Sequence, residues 1–221
     1  MNARQRSLSG LLLAIVLIPV LAGLLACLPV PIGDPERSRI DPDMTGVWLG
    51  FEGAVTYFEP YDKRTWLVTS VGINLPSGCR WAGETFEYEE FVAWFAEQQC
   101  ATAEKATIFK AWRSKHGGHW FLTMQPMAMV DDDAEDPFAD DVWFVYRIDK
   151  TGAGAFELLM IDPDFAMFND LPEKRRDYEK VIRKNAADDG MYMGGADRFV
   201  RIQPEHIEIF AEFVEKHIDI D

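Results

Sequence analysis

Apolar positions fall into three kinds of spacing along the chain, and each marks a different kind of element. Residues 11–25 form an unbroken run without charge. Between Thr45 and Ile161 the pattern becomes short stretches of alternating β-branched and aromatic residues, the period-two signal of strands. Residues 45–51, 54–58 and 65–71 read as three strands, the first two separated by Glu52-Gly53. Two hairpins follow. Residues 107–113 and 120–125 flank His116-Gly-Gly-His119, where paired glycines supply the positive φ of a tight turn. Residues 142–148 and 155–161 flank a Gly-rich loop over 149–154. Val142, Phe144, Tyr146 and Ile148 share one face, with Trp143 and Val145 opposite, so this sheet is expected to be covered on both sides. After Pro163 the period lengthens to that of helices. Residues 163–168 read as a short helical turn and 172–184 as a polar helix with Tyr178, Val181 and Ile182 as its apolar stripe. Residues 188–195 read as a loop, 198–202 as a last short strand, and 204–217 as an amphipathic helix carrying Ile207, Phe210, Phe213 and Val214. Residues 83–99 place Tyr88, Phe91, Val92 and Phe95 at helical spacing behind acidic residues, which predicts a helix. Their aromatic content equally suits a strand, which would change the strand order.

The fold class expected from this pattern is α+β: an antiparallel curved sheet or small barrel with helices toward the C-terminus. Roughly 195 residues beyond the leader are enough for one domain with a real core. The expected division is a signal segment over 1–26, a tether over 27–43 and a single β-rich domain over 44–221. The tether reading rests on Pro29, Pro31, Pro35 and Pro42 among charged residues without periodicity.

Arg4 and Arg6 ahead of the apolar run, and Leu24-Leu25-Ala26-Cys27 after it, resemble a bacterial lipoprotein signal with its lipobox. The resemblance covers the first 27 residues. It implies a lipid on the Cys27 thiol, cleavage before that residue and an acylated new amino terminus, hence a membrane-held, periplasm-facing protein of the cell envelope. Each buried methylene contributes about 0.8 kcal/mol, so two or more chains anchor stably where one does not. Leu28, in place of an acidic residue after the cysteine, favours the outer over the inner membrane by the same resemblance.

The formal charge is −15. The leader holds two of the basic residues and no acid, so the remainder stands at −17. Such a surface repels phosphate backbones, and nucleic acid is not an expected partner. Of three cysteines, Cys27 is assigned to lipid, leaving Cys79 and Cys100 as a candidate disulfide in an oxidising compartment. Two free buried thiols are the alternative.

Candidate chemistry is sparse. Gly46-Val-Trp48 at a strand opening resembles the start of lipocalin-like barrels, in which a Trp closes the barrel floor beneath a small apolar ligand. The same tripeptide also suits a buried Trp in another β-rich core. Asp131 to Asp141 carries carboxylates at a density that calcium favours, but without EF-hand spacing, and it reads as a solvated acidic loop. His116 and His119 offer two imidazoles from one turn and no third metal ligand, with His206 and His217 on or near the last helix. Ser70, Ser77 and Ser114 lack any nucleophile motif, and the Gly-Gly and Gly-x-Gly pairs lack the frame of a phosphate loop. No metal site, cofactor or catalytic residue is expected. Lys174, Arg175, Arg176, Lys180, Arg183 and Lys184 gather on one helix, as a docking face for an anionic partner or as a solvated face with i,i+4 pairs.

Together these features favour a non-catalytic binding domain on a membrane anchor, its ligand an apolar small molecule or an envelope protein. A structural or assembly lipoprotein acting through surface contacts is the alternative. An envelope hydrolase would need a carboxylate or Ser/His pair converging in a cleft.

Overall fold

Alternation along the strands sorts side chains onto two sides of one closed sheet. Phe144, Tyr146 and Ile148 pack with Trp48, Phe58 and Trp66 on its inner side, while Val145 joins a separate cluster outside. The computed structural model describes residues 27–50, 53–74, 79, 88–97, 101–130 and 142–217. Eight strands make the sheet: β1 (Gly46–Gly50), β2 (Ala54–Pro60), β3 (Trp66–Asn74), β4 (Thr102–His116), β5 (His119–Val130), β6 (Phe144–Gly152), β7 (Ala155–Met160) and β8 (Asp197–Arg201). Each pairs antiparallel with the next, and β8 returns to β1 through Trp48 opposite Arg201 and Gly50 opposite Phe199, closing an eight-stranded barrel. The fold is therefore a mostly β closed barrel with a few short helices, and the open curved sheet is replaced by closure. Closure leaves no sheet edge to pair with another chain.

Strands β2 to β6 run longer than alternation alone gave. β4 and β5 extend to His116 and from His119, with Gly117 and Gly118 at φ 58° and 92° in the turn. A Cβ on Gly117 would lie 2.6 Å from the Arg183 carbonyl oxygen, so this turn also abuts a helix closely. The segment over 149–154, read as a loop, lies largely in β6, and a two-residue turn is enough to connect it to β7.

Helices cover two sides of the barrel. α1 (Tyr88–Glu97) makes the described part of the ambiguous stretch a helix, the rest of 83–99 lying outside the described residues. Its Phe91, Val92 and Phe95 meet Phe210 and Phe213 of α3 (Ile207–His217) over Leu49, Val55 and Ile73. α2 (Arg175–Asn185) begins three residues after Pro172, and Tyr178, Val181 and Ile182 bury against Phe121 and Val145. The short turn at Ala166–Phe168 seals the same cluster with Phe168, and Met191, expected in a loop, is fully buried there.

The stretch over 28–43, expected as an extended tether, is part of the domain. Leu28, Val30 and Ile32 are 2%, 6% and 0% exposed, and they join the cluster under α2. Their backbone is held as well. Leu28 N–H donates to the Trp143 carbonyl at 3.0 Å, and the Ile32 carbonyl accepts from Trp112 Nε1 at 2.9 Å and Thr123 Oγ1 at 2.7 Å. The prolines suit this role, because an outer strap makes few ladder bonds and loses little by lacking N–H donors. Apolar residues alternating with proline carried the core signal (Leu28, Val30, Ile32 against Pro29, Pro31), hidden by a composition typical of linkers.

Candidate functional site: the barrel mouth and an outer groove

One end of the barrel is plugged. Trp48 is 1% exposed, and its Nε1–H donates to the Met44 carbonyl at 2.8 Å, placing the short turn Pro42–Met44 beneath the floor. The Arg201 guanidinium lies 4.4 Å from the Trp48 ring centre and donates from Nη1 to the Thr45 carbonyl at 2.7 Å. That stacking combines cation–π attraction with charge-assisted hydrogen bonding at the point where the last strand meets the first. Gly46 has φ 126°, and a Cβ there would stand 2.6 Å from Arg201 Nη1. The two named residues of Gly46-Val-Trp48 thus serve one device: the Trp closes the floor, and the glycine admits the arginine that locks it. Phe156 completes the floor, edge-on to Trp48 at 4.6 Å and stacked on Phe199 at 5.0 Å.

Above this floor the interior holds a cavity of about 210 Å³. Phe58, Phe109, Met124, Tyr146, Leu158 and Phe199 give it apolar walls, and Gly50, Ala54 and Asp197 mark its outer end. Thr56 Oγ1 and Ser70 Oγ, 3.1 Å apart, form a polar pair in that wall. The arrangement can hold a small apolar body and offer it one hydrogen-bonding position.

Cys27 lies at this same end. Its neighbour Leu28 pairs with Trp143, one residue before β6 enters the barrel at Phe144, and Phe144 sits opposite Met124 of the cavity wall. Cys27 is half-buried and free, and burial pushes its thiol above the ordinary range. The lipobox residues Leu24, Leu25 and Ala26 lie outside the described residues. Cys79 is 2% exposed and is not among the free thiols, whereas Cys100, its expected partner, lies outside the described residues.

A second concavity, about 620 Å³, lies outside the barrel beside the β4–β5 turn. It is walled by the strap (Arg37, Arg39), by β4 (Arg113, Lys115) and by Arg175 of α2. Arg113 pairs with Asp41 and stacks 4.3 Å over Trp120, and its Nε donates to the Arg39 carbonyl at 2.8 Å. Asp41 is pulled two ways. Burial raises its carboxyl, but the Lys150 hydrogen bond and the Arg113 charge outweigh this and hold it below the ordinary range. His116 is 7% exposed at the wall of this groove, with Nε2 3.0 Å from Ser114 Oγ. Desolvation lowers its pKa despite the Glu179 charge, so the imidazole is neutral at pH 7. Its Nδ1 is buried without a hydrogen-bond partner. Ser114 and His116 thus form a Ser/His pair at this wall, and among the described residues no group bonds the ring at Nδ1.

The remaining candidates do not assemble with these. His119 stands opposite His116 in register and is half-exposed, and His206 bonds Tyr88 at 3.1 Å on the far wall of the barrel. Among the described residues no group of three or more His, Cys, Asp or Glu is arranged to hold a metal ion. The acidic run over 131–141 and Ser77 lie outside the described residues. Of the basic helix, Arg175 turns into the groove and donates to the Gly33 carbonyl at 3.2 Å, while Arg176 and Lys180 remain exposed. No residue pattern announced the groove. Its parts come from positions 33 to 179, and the strap that supplies two of its arginines has the composition of a linker. No family model matches the chain, and no curated protein or solved structure shows significant similarity to it.

Proposed function

We propose that this protein is a lipid-anchored lipoprotein of the bacterial cell envelope, facing the periplasm, that binds a small apolar molecule in its barrel without chemical conversion. The observation that carries the reading is the interior cavity: six large apolar side chains around about 210 Å³, closed below by Trp48 and Arg201. A volume under the roughly 300 Å³ of drug-sized sites suits a small ring system or the apolar end of a longer molecule. The Thr56–Ser70 pair gives such a ligand one polar anchor.

In this reading the lipobox puts the anchor on Cys27, and the buried strap would hold it close to the barrel. With Leu28 paired to Trp143, no slack separates the acylated residue from the cavity end of the barrel. The mouth then lies at the bilayer surface, where apolar ligands partition. Leu28 after the cysteine favours the outer membrane. The Cys79–Cys100 disulfide belongs to the same reading, since an oxidising periplasm preserves it. Nucleic acid has no place in it, given the acidic surface.

Titration of intrinsic Trp fluorescence with 1-octanol and with naphthalene tests the binding claim. Trp48 and Trp66 border the barrel interior, so occupancy is expected to give a saturable change. Ser70→Phe, which fills the wall, is expected to abolish it. A linear response identical in the variant would mean that the cavity takes no ligand.

A further inference from the structure

We propose that the groove outside the barrel floor is a second binding site, for a soluble polyanion carrying two or more phosphate groups. Charge favours such a ligand. A chain of net −15 places Arg37, Arg39, Arg113, Lys115 and Arg175 around one concavity, against Asp34 and Glu179 as its lining acids. Local excess of this sign focuses field into a cleft and recruits anions.

The acids near the groove are already engaged. Glu179 accepts from the Gly33 N–H at 3.1 Å and lies 3.8 Å from Arg175, and Asp34 accepts from the Glu36 N–H and lies 3.6 Å from Arg37. Asp41 is taken by Arg113 and Lys150. Arg39 and Lys115 form no ion pair among the described residues, although Lys115 lies 5.5 Å over the Trp120 ring. Two unneutralised cations thus face one concavity whose frame is fixed, because Arg113 N–H donates to Ser38 Oγ at 3.1 Å and the strap is bonded to β4 and β5 through Ile32. Preorganised cations lose little freedom on binding.

The cations also fit phosphate chemically. Guanidinium forks match phosphate oxygens in pairs, and an ammonium adds a point charge beside them. At about 620 Å³ the groove exceeds one phosphate and suits a molecule presenting several. At its wall the Ser114 hydroxyl, 3.0 Å from His116 Nε2, adds a polar group to the lining. The groove lies at the turn end of β4 and β5, opposite the barrel mouth and Cys27. A protein anchored at Cys27 therefore presents this groove to the aqueous compartment, away from its own bilayer.

Isothermal titration of the folded domain with pyrophosphate at low salt, and sedimentation with phosphatidylglycerol vesicles, test the site and separate its two sources of phosphate. Saturable pyrophosphate binding is expected, weakened at least about tenfold in R39E/K115E and retained in R39K/K115R. R176E/K180E, on the exposed face of α2 outside the groove, is expected to bind like the parent. Vesicle binding lost in R39E/K115E, without pyrophosphate binding, would keep the phosphate site but overturn its soluble ligand. Absence of binding to either probe, or equal weakening by R176E/K180E, would overturn the site itself.

Discussion

Gly46 shows how much one missing Cβ decides. Its φ of 126° is open to glycine and strained for other residues, and the space beside it is filled by the Arg201 guanidinium. Gly46→Ala is expected to cost about 1–3 kcal/mol through backbone strain, read as a lower midpoint in urea unfolding with an unchanged slope. Trp48→Ala removes the floor itself and is expected to cost about 3–5 kcal/mol. An unchanged midpoint in both variants would mean that the floor lock contributes nothing. His116 makes a prediction of a different kind. Burial lowers its folded-state pKa below the ordinary 6.5, so the unfolded chain binds a proton more readily. The stability this provides is complete above about pH 6.5 and falls as the pH drops through the lowered folded value. His116→Gln is expected to flatten that limb of the stability–pH curve. A parallel curve would show that the ring titrates alike in both states.

The strands were legible because alternation is a direct record of a two-sided sheet. Phe144, Tyr146 and Ile148 against Val145 gave both faces of β6 before any coordinate, and Phe91, Val92 and Phe95 gave the buried face of α1. The strap was not legible, because proline and charge dominate its composition while three apolar residues carry its burial. Its contribution is measurable. Ile32→Ala is expected to cost about 2–4 kcal/mol, as for other fully buried aliphatic residues. A chain beginning at residue 44 is expected to be far less stable than one beginning at residue 28, because the cluster under α2 loses Leu28, Val30 and Ile32. Equal denaturation midpoints for the two chains would restore the tether reading. The candidate sites were less legible still. Alternation says that Phe58, Phe109 and Leu158 face inward but not that space remains between them, and the groove draws on residues that only the tertiary fold brings together.

At the scale of the molecule, Cys27, the cavity mouth and the groove lie on one axis. Cys27 and the cavity share one end of the barrel, and the cationic groove occupies the other. Attaching Cys27 to a maleimide lipid in vesicles, with a fluorophore at Gly53 beside the mouth or Gly118 at the opposite turn, is expected to give stronger energy transfer to a headgroup acceptor from Gly53. Inserting a Gly-Ser linker between Cys27 and Leu28 should erase the difference. Equal transfer without the linker would mean that the barrel tumbles freely on its anchor. Ligand carriage by the barrel is tested by native mass spectrometry of residues 28–221 secreted to the periplasm without the lipid, beside its Ser70→Phe variant. The binding account predicts a non-covalent adduct on the parent, lost on denaturation and missing from the variant, with the polypeptide short by the two hydrogens of a Cys79–Cys100 bridge. A bare polypeptide in both preparations, even after incubation with envelope lipid extract, would contradict a ligand-carrying barrel.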